Sequence, residues 1–262
     1  MPDPGKVRDN GSMENTLSAK HIASNDVLIG YLDLCGTKVV YTTLKLEEQL
    51  ERVIVAVSNA WIELSNVFGT GQQSLYVHMF ANSLVVAQRD KKAPDDCLNK
   101  LVEYFVSVQF KMLQKSQFHK IPILSRCMVK KGRYYGVLFE QLGSKLDDII
   151  LNFSLVGGPT VVEMNKLLEG LPVGVYIDQS LASQYADPSR LVPVEGEQLA
   201  FVKPPETFIS FERLFGNHDF DTWIDEMIDR SNSDQEFKNK LKPWADAIQN
   251  RSTSIQRVSH SC

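Results

Sequence analysis

The stretch that decides the fold is "LYVHMFANSLVVAQ", Leu75 to Gln88. Two runs of apolar and β-favouring residues, LYVHMF and SLVVAQ, are separated by only two residues, and this spacing predicts a β-hairpin. Its turn carries an amide at Asn82. This side chain has two interpretations: a residue that tolerates the backbone of a tight turn, or a polar group that takes part in a metal site.

Upstream of the hairpin, the apolar run DVLIGYLDLCG (26–36) predicts a buried strand that ends in a turn. Apolar residues then recur at intervals of three and four over 45–68, which indicates an amphipathic helix. Residues 1–25 are polar and lack periodicity, so we expect a disordered N-terminal arm.

Downstream of the hairpin, residues 97–115 predict a second helix, and 123–139 predict a strand, a turn near Gly132 and a further strand. Gly-Gly-Pro then opens a helix over 157–171, and the strand VGVYID follows. The resulting β-α-β-β-α-β order predicts a ferredoxin-like α+β domain over 26–203, an antiparallel sheet with helices on one face. Residues 204–262 are expected to form a C-terminal helical extension.

Composition narrows the function. The 262 residues carry a net charge of −4 with a pI near 5.8, which argues against binding nucleic acid through bulk charge. The four cysteines lie far apart and lack zinc spacing. The sequence contains neither an apolar signal segment nor a run long enough to span a membrane. We therefore expect a cytoplasmic protein with reduced thiols and no membrane or nucleic-acid partner.

Asp33 is the first candidate for chemistry. A carboxylate near the end of an apolar strand is unfavourable unless it is paired, hydrogen-bonded or bound to a cation. It is therefore either a Mg²⁺ or Mn²⁺ ligand or a structural carboxylate in a salt bridge or helix cap. On a β-α-β-β frame the hairpin lies beside the first strand, so Asn82 is expected to approach Asp33.

Three further features suit a phosphate-bearing ligand. Gly157, Gly158 and Pro159 lead into a helix N-terminus, whose free N–H groups favour anions, although such turns are also common as plain loops. Lys166 lies two turns into that helix, where it is either a phosphate contact or a solvated lysine. Arg126 lies within a core strand and is either a phosphate clamp or half of a salt bridge.

Aromatic side chains mark the first strand of the hairpin. Tyr76, His78 and Phe80 alternate and so share one strand face. They form either a surface that stacks on and reads a nucleobase or the solvent side of a half-exposed sheet.

Taken in order, these segments resemble the class III nucleotide cyclase domain, and more closely the pyrimidine cyclases of bacterial Pycsar anti-phage systems. The resemblance covers roughly 27–183 and rests on five segments: GYLDLCGTK, YVHMFANSLVV, SRCMVKKG, GGPTVVEMNKLLE and GVYIDQSL.

The resemblance implies a head-to-tail homodimer with sites at the interface and two Mn²⁺ or Mg²⁺ ions. It implies that Asp33 bridges the ions, that the Leu34 carbonyl is a further ligand, and that Asn82 takes the place of the second metal aspartate. His78 falls near the base-reading position, a lysine in purine cyclases. Lys166 falls near the transition-state arginine.

The implied activity is conversion of UTP, or less favourably CTP, to the 3′,5′-cyclic mononucleotide and pyrophosphate. The product would signal to a separate antiviral effector. Asn82, Cys127 and Met164 depart from the family pattern of an aspartate, a glycine and a small residue. The alternative is therefore a catalytically degenerate module that binds a nucleotide or a partner.

Overall fold

A computed structural model describes residues 17–35, 45–68, 75–80, 82–88, 96–116, 123–141, 154–205, 222, 235–248 and 252–257. The strands are β1 (Leu17–Cys35), β2 (Leu75–Phe80), β3 (Ser83–Gln88), β4 (Leu124–Gln141), β5 (Ser154–Gly157), β6 (Gly174–Asp178), β7 (Leu191–Pro193) and β8 (Leu199–Val202). The α-helices are α1 (Leu46–Phe68), α2 (Cys97–Ser116), α3 (Pro159–Leu168) and α4 (Gln235–Ile248). Two short 3₁₀ helices cover Gln179–Gln184 and Pro188–Arg190.

The strands form one sheet in the order β2-β3-β1-β4-β6-β8-β7, and β5 pairs with β4 beside this path. All pairs are antiparallel except β4 with β6, where Arg126 faces Gly174 in a parallel register. The β2–β3 hairpin has the predicted boundaries, and the predicted ferredoxin-like α+β class is confirmed.

Helices lie on both faces of the sheet, which differs from the expected one-sided arrangement. A side chain added at Gly30 would collide with Phe105 of α2, whereas Tyr31 reaches Asn165 of α3. Since successive strand residues point to opposite faces, α2 and α3 pack on opposite sides of β1. α1 packs with α2, so these two helices share one face of the sheet, as predicted, and α3 covers the other face.

Two boundaries predicted from sequence were wrong. β1 begins at Leu17, so Leu17–Asn25 belong to a strand and not to a disordered arm, while 1–16 lie outside the described residues. β4 continues through Gly132 without a turn. The cause is one long pairing: Leu17–Ser24 are matched residue by residue with Tyr134–Gln141, which gives both segments a hydrogen-bonded partner.

The described part of the C-terminal extension packs on the core. Trp244 of α4 is 1% exposed and its ring centroid lies 5.9 Å from that of Phe110. The amide of Val173 donates to the carbonyl of Lys240, and Ile255 forms a β-bridge with Val194. Between residues 205 and 235 of this predicted extension, the structure describes Thr222 alone.

The structure also bears on the cysteines and on membrane-spanning helices. Cys35, Cys97 and Cys127 are free and buried, as predicted for reduced thiols. Among the described helices, none is both long and apolar enough to cross a bilayer.

Replacing Gly30 with alanine should destabilise the fold, because the added methyl group would lie 2.4 Å from the Phe105 ring. We expect the free energy of unfolding to fall by about 1–3 kcal/mol, the usual range for an overpacked core. Urea unfolding would measure it. The double variant Gly30→Ala/Phe105→Leu should recover part of the loss, and an equally unstable double variant would contradict this explanation.

Candidate active site

The site is built around Asp33, near the end of β1. Strand pairing places Asp33 opposite Ser83 on one side and Arg126 on the other. Oδ2 of Asp33 accepts a hydrogen bond from Nη2 of Arg126 at 2.7 Å. The two side chains are 14% and 13% exposed, so the ion pair is largely shielded from water. The sequence left Asp33 open between a metal ligand and a salt bridge, and the structure shows the salt bridge.

Arg126 is also held by α3. Its Nη1 donates to the carbonyl oxygen of Leu168 at 2.7 Å, at the C-terminal end of that helix, where the helix dipole favours a cation. Burial lowers the pKa of Arg126, but Cys35 and Asp33 raise it more, so the net pKa is above its usual value. The buried Nε has no hydrogen-bond partner among the described residues. A permanent cation with a spare donor is suited to binding phosphate.

The hairpin turn reaches Asp33, as predicted. Nδ2 of Asn82 donates to Oδ1 of Asp33 at 3.2 Å, and Oγ of Ser83 lies 3.5 Å from the same oxygen. The backbone joins as well, because the amide of Leu34 donates to the carbonyl of Asn82 at 3.0 Å. The structure therefore places Asp33, Leu34, Asn82 and Arg126 in one cluster.

A tyrosine that sequence reasoning missed connects this cluster to α3. The Tyr31 hydroxyl lies 3.0 Å from Oγ of Ser83 and 3.1 Å from Oδ1 of Asn165. Burial is the main reason that the pKa of Tyr31 is raised, so the hydroxyl stays protonated at neutral pH. The signal was available, since Tyr31 precedes Asp33 by two residues and shares its strand face.

The donor set among the described residues supplies ligands for one divalent ion. Mg²⁺ is commonly held by one or two carboxylates together with substrate phosphates. Asp33 and Asn82 converge within hydrogen-bond distance, and rotation of the amide would present its oxygen instead of its nitrogen. However, the cluster holds one carboxylate, already paired with Arg126, and the described residues contain no group of three or more His, Cys, Asp or Glu side chains able to hold a metal.

Gly158, one of the predicted phosphate contacts, lies away from Asp33 within one chain. The N-terminus of α3 meets the middle of β4, where the Arg133 amide donates to Oγ1 of Thr160 at 2.8 Å, while its C-terminus meets Arg126. Gly158 is therefore separated from Arg126 by roughly the helix length, about 15 Å. Lys166 is exposed, and none of the described residues forms an ion pair with it.

The predicted aromatic face is present but covered. His78 is 3% exposed, and its ring centroid lies 6.1 Å from that of Tyr134. Tyr76 is partly buried and nearly parallel to Tyr134, with centroids 6.5 Å apart. The Phe80 side chain lies outside the described residues. Strand pairing through Val85 places His78 on the same sheet face as Tyr31 and Asp33.

Solved structures identify the fold. The chain is similar to the guanylyl cyclase Cya2, with a TM-score of 0.50 and 14% identity over 71% of this chain and 93% of that one. It is also similar to a bacterial light-regulated adenylyl cyclase, with a TM-score of 0.52 and 9% identity over 82% of this chain and 60% of that one. No protein-family model and no curated protein matches the sequence. The chain thus has the class III cyclase fold.

Proposed function

We propose that this protein is a nucleotide cyclase that converts a pyrimidine nucleoside triphosphate, UTP ahead of CTP, to its 3′,5′-cyclic mononucleotide and pyrophosphate. The observation that carries the proposal is the cluster of Asp33, Asn82 and Arg126 at one end of β1 in a cyclase fold. The preference for a pyrimidine rests on the resemblance of the sequence and on a histidine, not a lysine, at position 78.

The reaction is an intramolecular displacement. The ribose 3′-oxygen forms a bond to the α-phosphorus, the bond from that phosphorus to the bridging oxygen breaks, and pyrophosphate leaves. The 3′-hydroxyl proton is released. Catalysis of this kind depends mainly on positioning and on stabilising phosphate charge. Arg126 supplies the positive charge of the cluster.

A divalent ion, Mn²⁺ or Mg²⁺, would be held by Asp33, the Asn82 amide oxygen and the Leu34 carbonyl, and would lower the pKa of the 3′-hydroxyl. The described donor set supports one such ion rather than the two expected from the resemblance. We therefore propose an ion that arrives with the triphosphate.

A complete site requires a second copy of the chain. Gly158 and the Asp33 cluster lie at opposite ends of α3, too far apart to hold one triphosphate. A head-to-tail homodimer would bring Gly158 of one protomer toward the Asp33 cluster of its partner, while Lys166 lies in the last turn of α3. The cyclic product would then act as a messenger for a separate effector in antiviral defence.

One observation favours a second candidate, a cyclase-fold module that binds nucleotide without turnover. Asn82 replaces a charged ligand with a neutral one and donates its N–H to the remaining carboxylate. This arrangement stabilises Asp33 without a metal ion, which suits a protein that has lost catalysis.

The test is to incubate purified protein with Mn²⁺ and each of the four common ribonucleoside triphosphates in turn, and to measure products by mass spectrometry. We expect cyclic UMP, with less cyclic CMP, together with pyrophosphate. Asp33→Asn keeps the shape of the side chain and should lower product formation at least about 100-fold, since it removes the one charged ligand of the divalent ion. Nucleotide binding without any cyclic product would favour the second candidate.

A further inference from the structure

Two buried polar atoms on the sheet face that carries Asp33 have no hydrogen-bond partner among the described residues. They are Nε2 of His78 and the hydroxyl oxygen of Tyr134. Tyr134 is 1% exposed and its ring adjoins that of His78, with centroids 6.1 Å apart. Buried polar groups in folded proteins are nearly always paired, so two unpaired atoms on neighbouring rings need an explanation. A polar ligand that inserts between them would provide one.

A β-bulge in β1 lies across from the segment of β4 that carries Tyr134. The β1–β4 register shifts between Ser24 and Val27, and Asp26 within the shift has a φ of 63°. A bulge of this kind bends the strand and redirects neighbouring side chains, and bulges are frequent beside functional sites. Tyr134 of β4 lies against His78 of β2, although β3 and β1 separate those strands in the sheet.

The chemistry of the pair suits the edge of a pyrimidine. A tyrosine hydroxyl can donate or accept, and a neutral imidazole donates at one nitrogen and accepts at the other. Burial lowers the pKa of His78, which keeps the ring neutral at pH 7. Uracil presents one ring N–H donor between two carbonyl acceptors, so it can satisfy a neighbouring donor and acceptor together. Tyr76, nearly parallel to Tyr134, provides an aromatic face for stacking.

We propose that Tyr134 is a specificity-determining residue that acts with His78 to read the edge of the pyrimidine base. The inference rests on the proposed function, because the base belongs to the triphosphate substrate. A one-ring base needs less displacement of the three aromatic side chains than a purine does. Tyr134 therefore favours a pyrimidine both by hydrogen bonding and because a smaller base displaces its ring less.

The test is Tyr134→Phe, which removes the unpaired hydroxyl and keeps the ring. Binding is measured by calorimetry with α,β-methylene-UTP and α,β-methylene-ATP, which cannot release pyrophosphate, so the readout does not depend on turnover. We expect affinity for the uridine analogue to fall about tenfold, the value of one good hydrogen bond, with little change for the adenosine analogue. His78→Phe should act in the same direction.

The matched control is Tyr185→Phe. Tyr185 also has a buried hydroxyl without a partner among the described residues, but it lies between the two 3₁₀ helices. In the absence of nucleotide, both Tyr→Phe variants should melt at the wild-type temperature or above it, because each loses an unsatisfied group. Only Tyr134→Phe should lose affinity for the uridine analogue.

Unchanged binding of both analogues by Tyr134→Phe would overturn the inference and leave the proposed function standing. An equal loss for both analogues would also overturn it, because the hydroxyl would then not discriminate between bases. If the wild-type protein binds neither analogue, the proposed function itself fails, and the inference fails with it.

Discussion

Replacing Arg126 with glutamine should lower the free energy of unfolding by about 3 kcal/mol. The Asp33 carboxylate is only 14% exposed, and the substitution removes the cation that neutralises it. Asp33→Ala should have an effect of similar size, since it leaves the buried guanidinium without its carboxylate. Urea unfolding at pH 7 gives both values, provided that the m-value is unchanged.

The double variant Asp33→Ala/Arg126→Gln separates pairing from other losses. If the two side chains stabilise each other, the double variant should be more stable than the sum of the single effects by about 1–3 kcal/mol. A stabilisation near zero would mean that each side chain acts through other contacts, such as the bond from Arg126 to the Leu168 carbonyl.

An exposed ion pair is the control. Lys100 in the first turn of α2 lies 2.8 Å from Asp96, the residue just before the helix, and the two side chains are 33% and 50% exposed. Lys100→Met should cost at most about 0.5 kcal/mol, the usual value for an exposed pair with this spacing. If Arg126→Gln lowers the free energy of unfolding no more than Lys100→Met does, the Asp33–Arg126 pair is not the strong internal contact that its burial indicates.

Local sequence patterns were sufficient to predict most of the elements. The three- and four-residue spacing of apolar side chains located α1 and α2, and the two-residue gap at Asn82 located the hairpin. The approach of Asn82 to Asp33 followed from topology, because a hairpin next to the first strand must lie beside its end. These features depend on neighbours close in sequence or on a simple rule of chain order.

Other features depended on pairing between distant residues. Gly132 looked like a turn because glycine often marks one, but β4 continues through it alongside β1. A glycine is needed at position 132 because α3 approaches the strand closely there. The Oγ1 atom of Thr160 would lie 2.2 Å from an added Cβ atom. Likewise the Leu17–Asn25 strand has little apolar periodicity and is formed because the far half of β4 pairs with it.

The residues of the candidate site could be predicted from the sequence, but the contacts that each of them makes could not. Asp33, Asn82 and Arg126 were each singled out, and each was left with two interpretations. The structure resolves Arg126 as the partner of Asp33 because the β1–β4 register sets them opposite each other. Tyr134 could not be placed from sequence, since its ring meets His78 across two intervening strands.

Asn82→Asp should make the protein both less stable without metal and more active with it. The new carboxylate would lie beside Asp33, where Asn82 Nδ2 now lies 3.2 Å from Oδ1. Two like charges at that separation repel, and the amide hydrogen bond is lost, so the melting temperature in EDTA should fall by several degrees. With Mn²⁺ the two carboxylates become ligands, and the melting temperature should rise above that of the wild type in the same buffer.

Turnover is the second readout. A charged ligand in place of a neutral one should strengthen metal binding, and formation of the cyclic pyrimidine nucleotide should increase at least about tenfold, which corresponds to only 1.4 kcal/mol at the transition state. A gain of several orders of magnitude would indicate that the natural protein has been selected for low catalysis. No gain, together with measurable wild-type activity, would show that the amide is an adequate ligand.

Asn66→Asp is the matched control, because Nδ2 of Asn66 donates to Oε1 of Glu63 at 2.9 Å on α1. This variant also sets one carboxylate beside another and should lose stability in EDTA. Lys111 already neutralises Glu63 there, and the pair is not in contact with Asp33, so turnover should be unchanged. An equal increase in turnover from Asn66→Asp and Asn82→Asp would show that general negative charge, rather than a ligand beside Asp33, limits the reaction.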